Sequence, residues 1–349
     1  MLILGIETSC DETSLAIVNE RKEILLNLIH SQIEIHQAYG GVVPEIAARS
    51  HIEIIDKLLA QAEQISGIGL KDIDAIAVTS GPGLIGGLIV GLMTAKGLAH
   101  YLDKPLIEVN HLEGHALAPK LTEDIEFPYL LLLISGGHCQ ILIVKDVSDY
   151  EMLGSTIDDA LGEAFDKFAK MLGLPYPGGP MIEKMAQNGN ENKYILPKAM
   201  VGRDNCDFSF SGIKTALKNI IDIQKDQGAL SQDFICDLSA SFQKTICTIL
   251  EDRLTNAMAI YEKRYSGEKR FVISGGVAAN NYIRSKLQLL CDRNGYQLFV
   301  PPLKLCTDNA AMIAYAGMER FKKGYISDLF AVPKSRWPLD GMLKEEKRA

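Results

Sequence analysis

The sequence predicts an α/β protein built as two similar halves that face each other across a cleft. Three observations lead there. Leu2–Glu7 and residues 14–18 read as strands around the turn SCDET, and 23–30 adds a third apolar run, which makes a meander. The pattern restarts at Tyr129–Ile134 and 140–144 around SGGHC, with a third candidate strand at 150–153. Each meander is then followed by alternating strands and helices, the order that parallel sheets require.

After the first meander, helical periodicity covers 45–64 and 86–102, strand runs cover 74–79 and 105–109, and a helix opens near His111. After the second come helices around 159–172, 180–188, 212–223 and 233–262, a strand at 270–273, a helix at 279–293 and a strand at 297–300. The expected domains are an N-terminal lobe over 1–125 and a C-terminal lobe over 126–332, whose last helix returns toward the cleft. Residues 333–349, with two prolines and a charged end, read as an extended or frayed tail anchored at Trp337. In such an architecture ligands sit where strand ends open onto the crevice, so the turns 9–13 and 135–138 and the loop 274–280 should point there.

Composition limits the function classes. A chain of 349 residues exceeds the size at which single cores stop growing, which predicts two domains. With 47% hydrophobic and 23% charged residues, and no run near the roughly 20 unbroken apolar residues of a membrane span, it should fold in water. The start MLILGIETSC runs into a strand without a secretory pattern, so the cytoplasm is the expected compartment and no membrane partner is expected. Seven scattered cysteines without a CxxC pair exclude a disulfide framework or cysteine zinc site. A formal net charge of -8 excludes a chain that wraps nucleic acid unaided. Any RNA contact must be local or shared with a partner, with Arg253, Lys263, Arg264, Lys269 and Arg270 as local candidates.

The segment Asn110-His111-Leu112-Glu113-Gly114-His115 places two histidines four residues apart at a helix start. They project roughly 40° apart, so both imidazoles can reach one ion, whereas Glu113 lies roughly 200° round from His111. A zinc peptidase needs its glutamate beside the metal, and HxExH does not put it there. Asp308, in CTDNAAM, completes a two-histidine, one-carboxylate set that suits iron(II), zinc or manganese; its plainer role is to cap the late helix, as Thr307 also would.

Ser135-Gly136-Gly137-His138 lies between two apolar strands, where glycines allow amides to approach an anion. A second SGG at Ser274-Gly275-Gly276 leads into Asn280 and a helix start, a place for phosphate or adenosine. Asp166 and Glu183 flank YPGGP and could accept from ribose hydroxyls, or stand as solvated helix carboxylates. Neither a Rossmann GxGxxG nor a P-loop is present. Asp11 and Glu12, in the first turn, are candidates for a general base or a metal-water contact, although turns also favour Asp for its local hydrogen bonds.

Together LGIETSCDETS, GVVPEIAARSH, NHLEGHALAP, LLISGGHCQI, TIDDALGEAFDK, YPGGP, FSFSGIKTA, SGGVAANN and CTDNAAM resemble the TsaD family of bacterial tRNA threonylcarbamoyladenosine biosynthesis proteins, over about residues 2–317. The resemblance implies two actin-like (ribonuclease H-like) lobes flanking a nucleotide and metal cleft. It implies metal ligation by His111, His115 and Asp308, with one divalent metal per subunit, iron(II) favoured and zinc possible. It further implies that Ile134, Ser135, Gly136, Gly137, His138, Asp166, Gly179, Glu183 and Asn280 line the site of the intermediate; position 183 is often Asp in that family, so Glu183 departs from its pattern. The implied reaction moves a threonylcarbamoyl group from threonylcarbamoyl-AMP to N6 of adenosine 37 in tRNAs reading codons that begin with adenine, and releases AMP. The implied partners are an inactive same-fold paralogue (TsaB-like), an ATPase (TsaE-like) and an adenylate-forming enzyme (TsaC-like). The competing readings are a kinase-like or chaperone-like ATPase of the same fold, a noncatalytic scaffold, and a metallopeptidase, the last opposed by the direction of Glu113.

Overall fold

The computed structural model describes residues 1–343, so the last six positions of the expected tail, 344–349, lie outside the described residues. Chain contacts group into two compact units. Unit 1 comprises Met1–Phe127, Val144–Glu151 and Pro301–Ala349, and unit 2 comprises Pro128–Ile143 and Met152–Val300.

Unit 1 opens with β1 (Leu2–Glu7), β2 (Glu12–Asn19) and β3 (Ile24–Ser31), then α1 (Ile33–Gln37) and α2 (Pro44–Ser66). β4 (Ala75–Gly81), α3 (Ile85–Leu102), β5 (Leu106–Asn110), α4 (His111–Leu117) and α5 (Pro119–Thr122) follow. Its sheet runs β3-β2-β1-β4-β5, with the meander antiparallel and β1, β4 and β5 parallel. The central strands are buried on both faces, which explains their near-continuous apolar runs. On one face α2 and α3 pack through Ile55, Leu58, Leu92 and Ala95. α3 is long and apolar enough to cross a membrane by length and composition, but here Gly87, Leu88, Gly91, Leu92, Ala95 and Ala99 are buried within the unit.

Unit 2 carries β6 (Tyr129–Ile134), β7 (Cys139–Asp146), β8 (Asp149–Ser155), α6 (Leu161–Met171), α7 (Gly178–Ala186), α8 (Ser211–Gln227), α9 (Gln232–Arg264), β9 (Arg270–Ser274), α10 (Asn281–Asn294) and β10 (Gln297–Phe299). The tips of β7 and β8 around 144–151 group with unit 1. Its sheet order is β10-β9-β6-β7-β8, so both sheets place their strands third, second, first, fourth, fifth. That shared order is the structural form of the internal repeat.

The division of the chain differs from the expected one. Pro301–Ala349, with α11 (Leu303–Cys306) and α12 (Ala310–Lys322), groups with unit 1 rather than with residues 126–300. The reason is packing: Ala310, Ala311, Ile313 and Ala314 join the core formed by Ile3, Ala16, Ala77 and Val109. At the contact, a Cβ on Gly5 would stand 2.3 Å from the Ala310 carbonyl oxygen. The tail also departs from a frayed segment with one anchor. The Lys334 amide donates to the Ser80 carbonyl, the Lys334 ammonium lies 3.8 Å from the centre of the Trp337 ring, and Leu339 and Met342 are buried along with Trp337.

Three boundaries move as well. Glu12 begins β2 rather than sitting in the turn. Asn309, not Thr307 or Asp308, caps α12, accepting from the Met312 amide at 3.0 Å. Asn280 caps α10, after a single tight turn over Gly276–Ala279.

Candidate functional site

In unit 1 the chain leaves β5 at Asn110 and enters α4 at once. The Asn110 side chain makes this sharp entry possible: its Oδ1 accepts from the Leu112 amide at 2.9 Å, and its Nδ2 donates to the Trp337 carbonyl at 2.8 Å. Every residue of α4 is buried. One turn apart, His111 and His115 meet with ring centres 4.7 Å apart and planes at 88°. Asp308 joins them, its Oδ1 lying 3.0 Å from His115 Nε2 and 3.5 Å from His111 Nε2.

One donor atom from each residue falls within 4.8 Å of the others, so these three could hold a metal ion. Donors bonded at about 2.0–2.2 Å stand roughly 3–4 Å apart, and the Asp308 oxygen meets both imidazole nitrogens at such a spacing. The outer shell fits too. His111 Nδ1 faces Glu7 Oε2 at 3.2 Å and Ser9 Oγ at 3.1 Å, an arrangement that keeps a proton on Nδ1 and leaves Nε2 as the nitrogen that would bind a metal once its own proton is lost. Glu7 is itself held by the Ser9 amide at 2.6 Å and by the Thr79 hydroxyl.

The charges are strongly perturbed. Burial disfavours the His111 cation, but the carboxylates of Asp308 and Glu7 outweigh it and push its pKa up to about 9. Glu7 responds in the opposite sense: burial raises it, yet the His111 cation and the hydrogen bonds from His111 and Ser9 leave it below the usual range. Glu12 is raised well above the usual range, first by burial and then by the charges of Asp308 and Asp11. The turn bearing Asp11 is braced from α2. His51 Nε2 donates to the Cys10 carbonyl at 3.1 Å, which leaves Nδ1 to accept from the Thr13 hydroxyl at 2.8 Å. Burial lowers the His51 pKa and keeps it neutral in this role.

Unit 2 holds the second group. The Ser135 amide donates to the His138 carbonyl at 2.8 Å, closing the SGGH turn, and Gly136 and Gly137 have open space where a side chain would project. The turn lies against the start of α6, whose Gly162 amide donates to the Ser135 carbonyl at 3.2 Å. A Cβ on Gly275 would meet the Ile134 carbonyl at 2.4 Å, so the second SGG packs on the end of β6. Further along α6, Asp166 accepts from the Gly178 amide at 2.7 Å, beside Gly179. Glu183, on the same α7, accepts from the Asn281 amide at 2.8 Å. Asn280 accepts from the Ile283 amide and donates to Gln243 Oε1 at 2.8 Å. Ile134–His138, Asp166, Gly179, Glu183 and Asn280 thus lie along one chain of contacts. A cavity of about 310 Å³ lined by Glu183, Gln187, Gln243, Asn281 and Tyr282 adjoins its far end.

Sequence reasoning missed Glu7, Ser9, Thr79, His51 and Gln243. Glu7 left a trace, as the single charged residue of the apolar strand LILGIE. Arg253 is corrected: it is fully buried, bonded to Asp252 and to the Asn205 carbonyl, so it cannot touch RNA. Glu113 is fully buried with its carboxylate engaged by Ser148, Tyr150 and Arg320, which removes the general base a metallopeptidase would need.

The repeated sheet order and the histidine–carboxylate cluster define an actin-like α/β protein with a candidate metal centre. Among solved structures, full-length HypF in its phosphate- and nucleotide-bound form aligns with a TM-score of 0.59 at 15% identity, covering 92% of this chain and 46% of that one, a likeness of fold alone. The chain belongs to the TsaD family of tRNA N6-adenosine threonylcarbamoyltransferases, whose model matches residues 23–315. It is 53% identical to the tRNA N6-adenosine threonylcarbamoyltransferase of Rhizobium etli over 348 residues, covering 97% of this chain and 94% of that protein. The protein of the same name from Paramagnetospirillum magneticum is 51% identical over 350 residues, covering 100% of both.

Proposed function

We infer that this chain transfers the threonylcarbamoyl group of threonylcarbamoyl-AMP to N6 of adenosine 37 in tRNAs that read codons beginning with adenine, releasing AMP. The observation that carries this reading is the 53% identity to a named transferase over 97% of the chain. The bond that forms joins N6 to the carbamoyl carbon; the bond that breaks joins that carbon to the AMP phosphate oxygen, and AMP leaves with the electron pair. N6 gives up a proton.

We assign the parts as follows. His111, His115 and Asp308 hold one divalent metal, iron(II) by preference and zinc as the second choice, and this donor set supports either. When bound, the metal supplies Lewis acidity toward the threonylcarbamoyl oxygens. Glu7 and Ser9 hold the His111 ring in the tautomer that presents Nε2. The SGGH turn offers backbone amides to the adenylate, and Asp166, Gly179, Glu183 and Asn280 line its nucleoside side. A carboxylate of the first turn, Asp11 or Glu12, takes the N6 proton.

A negative chain acting on tRNA needs basic groups from elsewhere, and we propose the TsaB-like paralogue, the TsaE-like ATPase and the TsaC-like adenylate-forming enzyme as partners in the cytoplasm. Exposed Ile85, Ile89 and Met93, four residues apart along α3, form an apolar stripe suited to a helix contact with the paralogue.

The test is reconstitution with the partners, threonylcarbamoyl-AMP and unmodified tRNA, reading the modified nucleoside by mass spectrometry. Product is expected from the wild type and none from His111→Ala/His115→Ala, with at least one of Asp11→Asn and Glu12→Gln strongly slowed. A wild-type chain that makes no product beside an active relative would discard the transferase reading.

A further inference from the structure

α4 carries a buried ion pair on the face opposite its histidines. Glu113 has no exposed surface, and Arg320, in the last turn of α12, is almost as buried. Glu113 Oε2 accepts from Arg320 Nη1 at 3.1 Å. Glu113 Oε1 accepts from the Ser148 amide at 2.8 Å and the Tyr150 hydroxyl at 2.9 Å, with the Ser148 hydroxyl at 3.3 Å. Arg320 Nη1 also donates to Ser148 Oγ at 2.7 Å. Ser148 sits at φ 62, a left-handed conformation rare for serine, and its amide is the one that meets Glu113.

Taking a carboxylate and a guanidinium out of water is costly, and this full set of partners offsets that cost, so the pair adds little net stability while it fixes how the elements it joins are placed. α4 has seven residues, too few to hold its own orientation, and it packs on α12 through Gly114, where a Cβ would meet Ile313 Cδ1 at 2.8 Å. Gly114 presents no side chain to α12, so the angle of α4 about its own axis is set by the side chains on either side of it, Glu113 among them. At a side-chain radius of about 5–6 Å, a turn of roughly 10° carries an imidazole nitrogen through about 1 Å. That is enough to spoil a ligand set that has to be held within roughly 0.5 Å. Arg320 and Asp308 stand at opposite ends of the same α12 segment, so an ion pair to one end sets the angle at which α4 presents His111 and His115 to the other.

We propose that Glu113 and Arg320 are positioning residues whose ion pair locks the rotation of α4 and so aims His111 and His115 at Asp308. The proposal deepens the metal reading above and rests on it. Glu113 thereby gains a purpose that a peptidase base does not explain.

The experiment titrates the purified, metal-free full chain with cobalt(II) and follows its visible absorption bands and, separately, the melting temperature. Glu113→Gln is expected to bind cobalt about tenfold or more weakly with shifted bands, the scale of outer-shell losses. Glu113→Gln/Arg320→Met removes both charges, so its melting temperature should recover toward wild type while the weak affinity and shifted bands persist. A merely structural pair would give the opposite: affinity and spectrum returning with stability. Wild-type affinity and bands in either variant overturn the proposal, and the double variant decides if Glu113→Gln does not fold. A wild-type chain that shows no cobalt bands lost in Asp308→Ala retires the metal assignment itself, and the positioning role with it.

Discussion

The seating of α12 on β1 carries Asp308 to the histidines, and Gly5→Ala tests it directly. The added methyl would lie 2.3 Å from the Ala310 carbonyl oxygen, 2.7 Å from the Ala314 amide nitrogen and 2.9 Å from Ala314 Cβ, where ordinary contact begins at 3.4 Å. Two of these atoms belong to helix backbone, so no side chain can swing aside, and α12 must lift by about 1 Å. Overpacking of this kind costs about 1–3 kcal/mol. A domain of this size loses roughly 2–4 °C of melting temperature per kcal/mol, which places the upper end of the shift near 6–12 °C. Asp308 lies two residues before Ala310, so its 3.0 Å approach to His115 should lengthen and cobalt affinity fall with the melting temperature. Gly136→Ala is the matched control, because its methyl enters open space and should leave the melting temperature unchanged. Differential scanning fluorimetry and cobalt titration on the three proteins give the answer. Gly5→Ala melting within about 2 °C of wild type would refute the close packing from which the shift is worked.

Two further outcomes follow from the charges. His111 has its pKa lifted to about 9, so the metal-free protein holds a proton there at pH 7.5 that metal binding must expel. Calorimetry in buffers of different ionisation enthalpy should show about one proton released at pH 7.5 and little at pH 10; a release independent of pH would contradict it. By linkage, this raised pKa stabilises the metal-free fold fully below about 6.5 and no longer once pH has risen through about 9. Asp158 works in the other direction. Burial raises its pKa, but hydrogen bonds from Ser209, the Phe210 amide and Ser211 outweigh burial and leave it lowered. Its stabilising effect is therefore present above the unfolded value near 3.9 and lost as pH falls through the lower folded one. Asp158→Ala should cost about 1 kcal/mol, as losing a helix-start acceptor does, with the difference from wild type vanishing in acid; an equal difference at pH 7 and pH 2.5 would count against it.

Much of the fold was legible because its signals are local. Short unbroken apolar runs marked β1 and β6, helical spacing marked α2, α3 and α10, and glycine turns marked the loops at 135–138 and 274–280. Capping chemistry was read less well at the late helix, since CTDNAAM offers three side chains able to cap and only packing picks Asn309. The domain boundary at 332 failed for a related reason: nothing in the composition of 301–322 says that its small residues pack on β1 rather than on the strands before them.

The candidate site divides in the same way. His111 and His115 were readable because both sit on one turn of one helix, while Asp308 and the unit 2 residues were candidates by residue type that the resemblance tied to one site. Glu7 was not readable as the partner of His111, being 104 positions away, nor Arg320 as the partner of Glu113, 207 positions away. The sequence by itself determined the element types, the repeat, the two histidines and, through its motifs, the family. Only the tertiary structure decided which carboxylate steadies which ligand and where 301–343 packs, because those choices belong to contacts between distant segments, and local spacing carries no information about which distant surfaces will exclude water together.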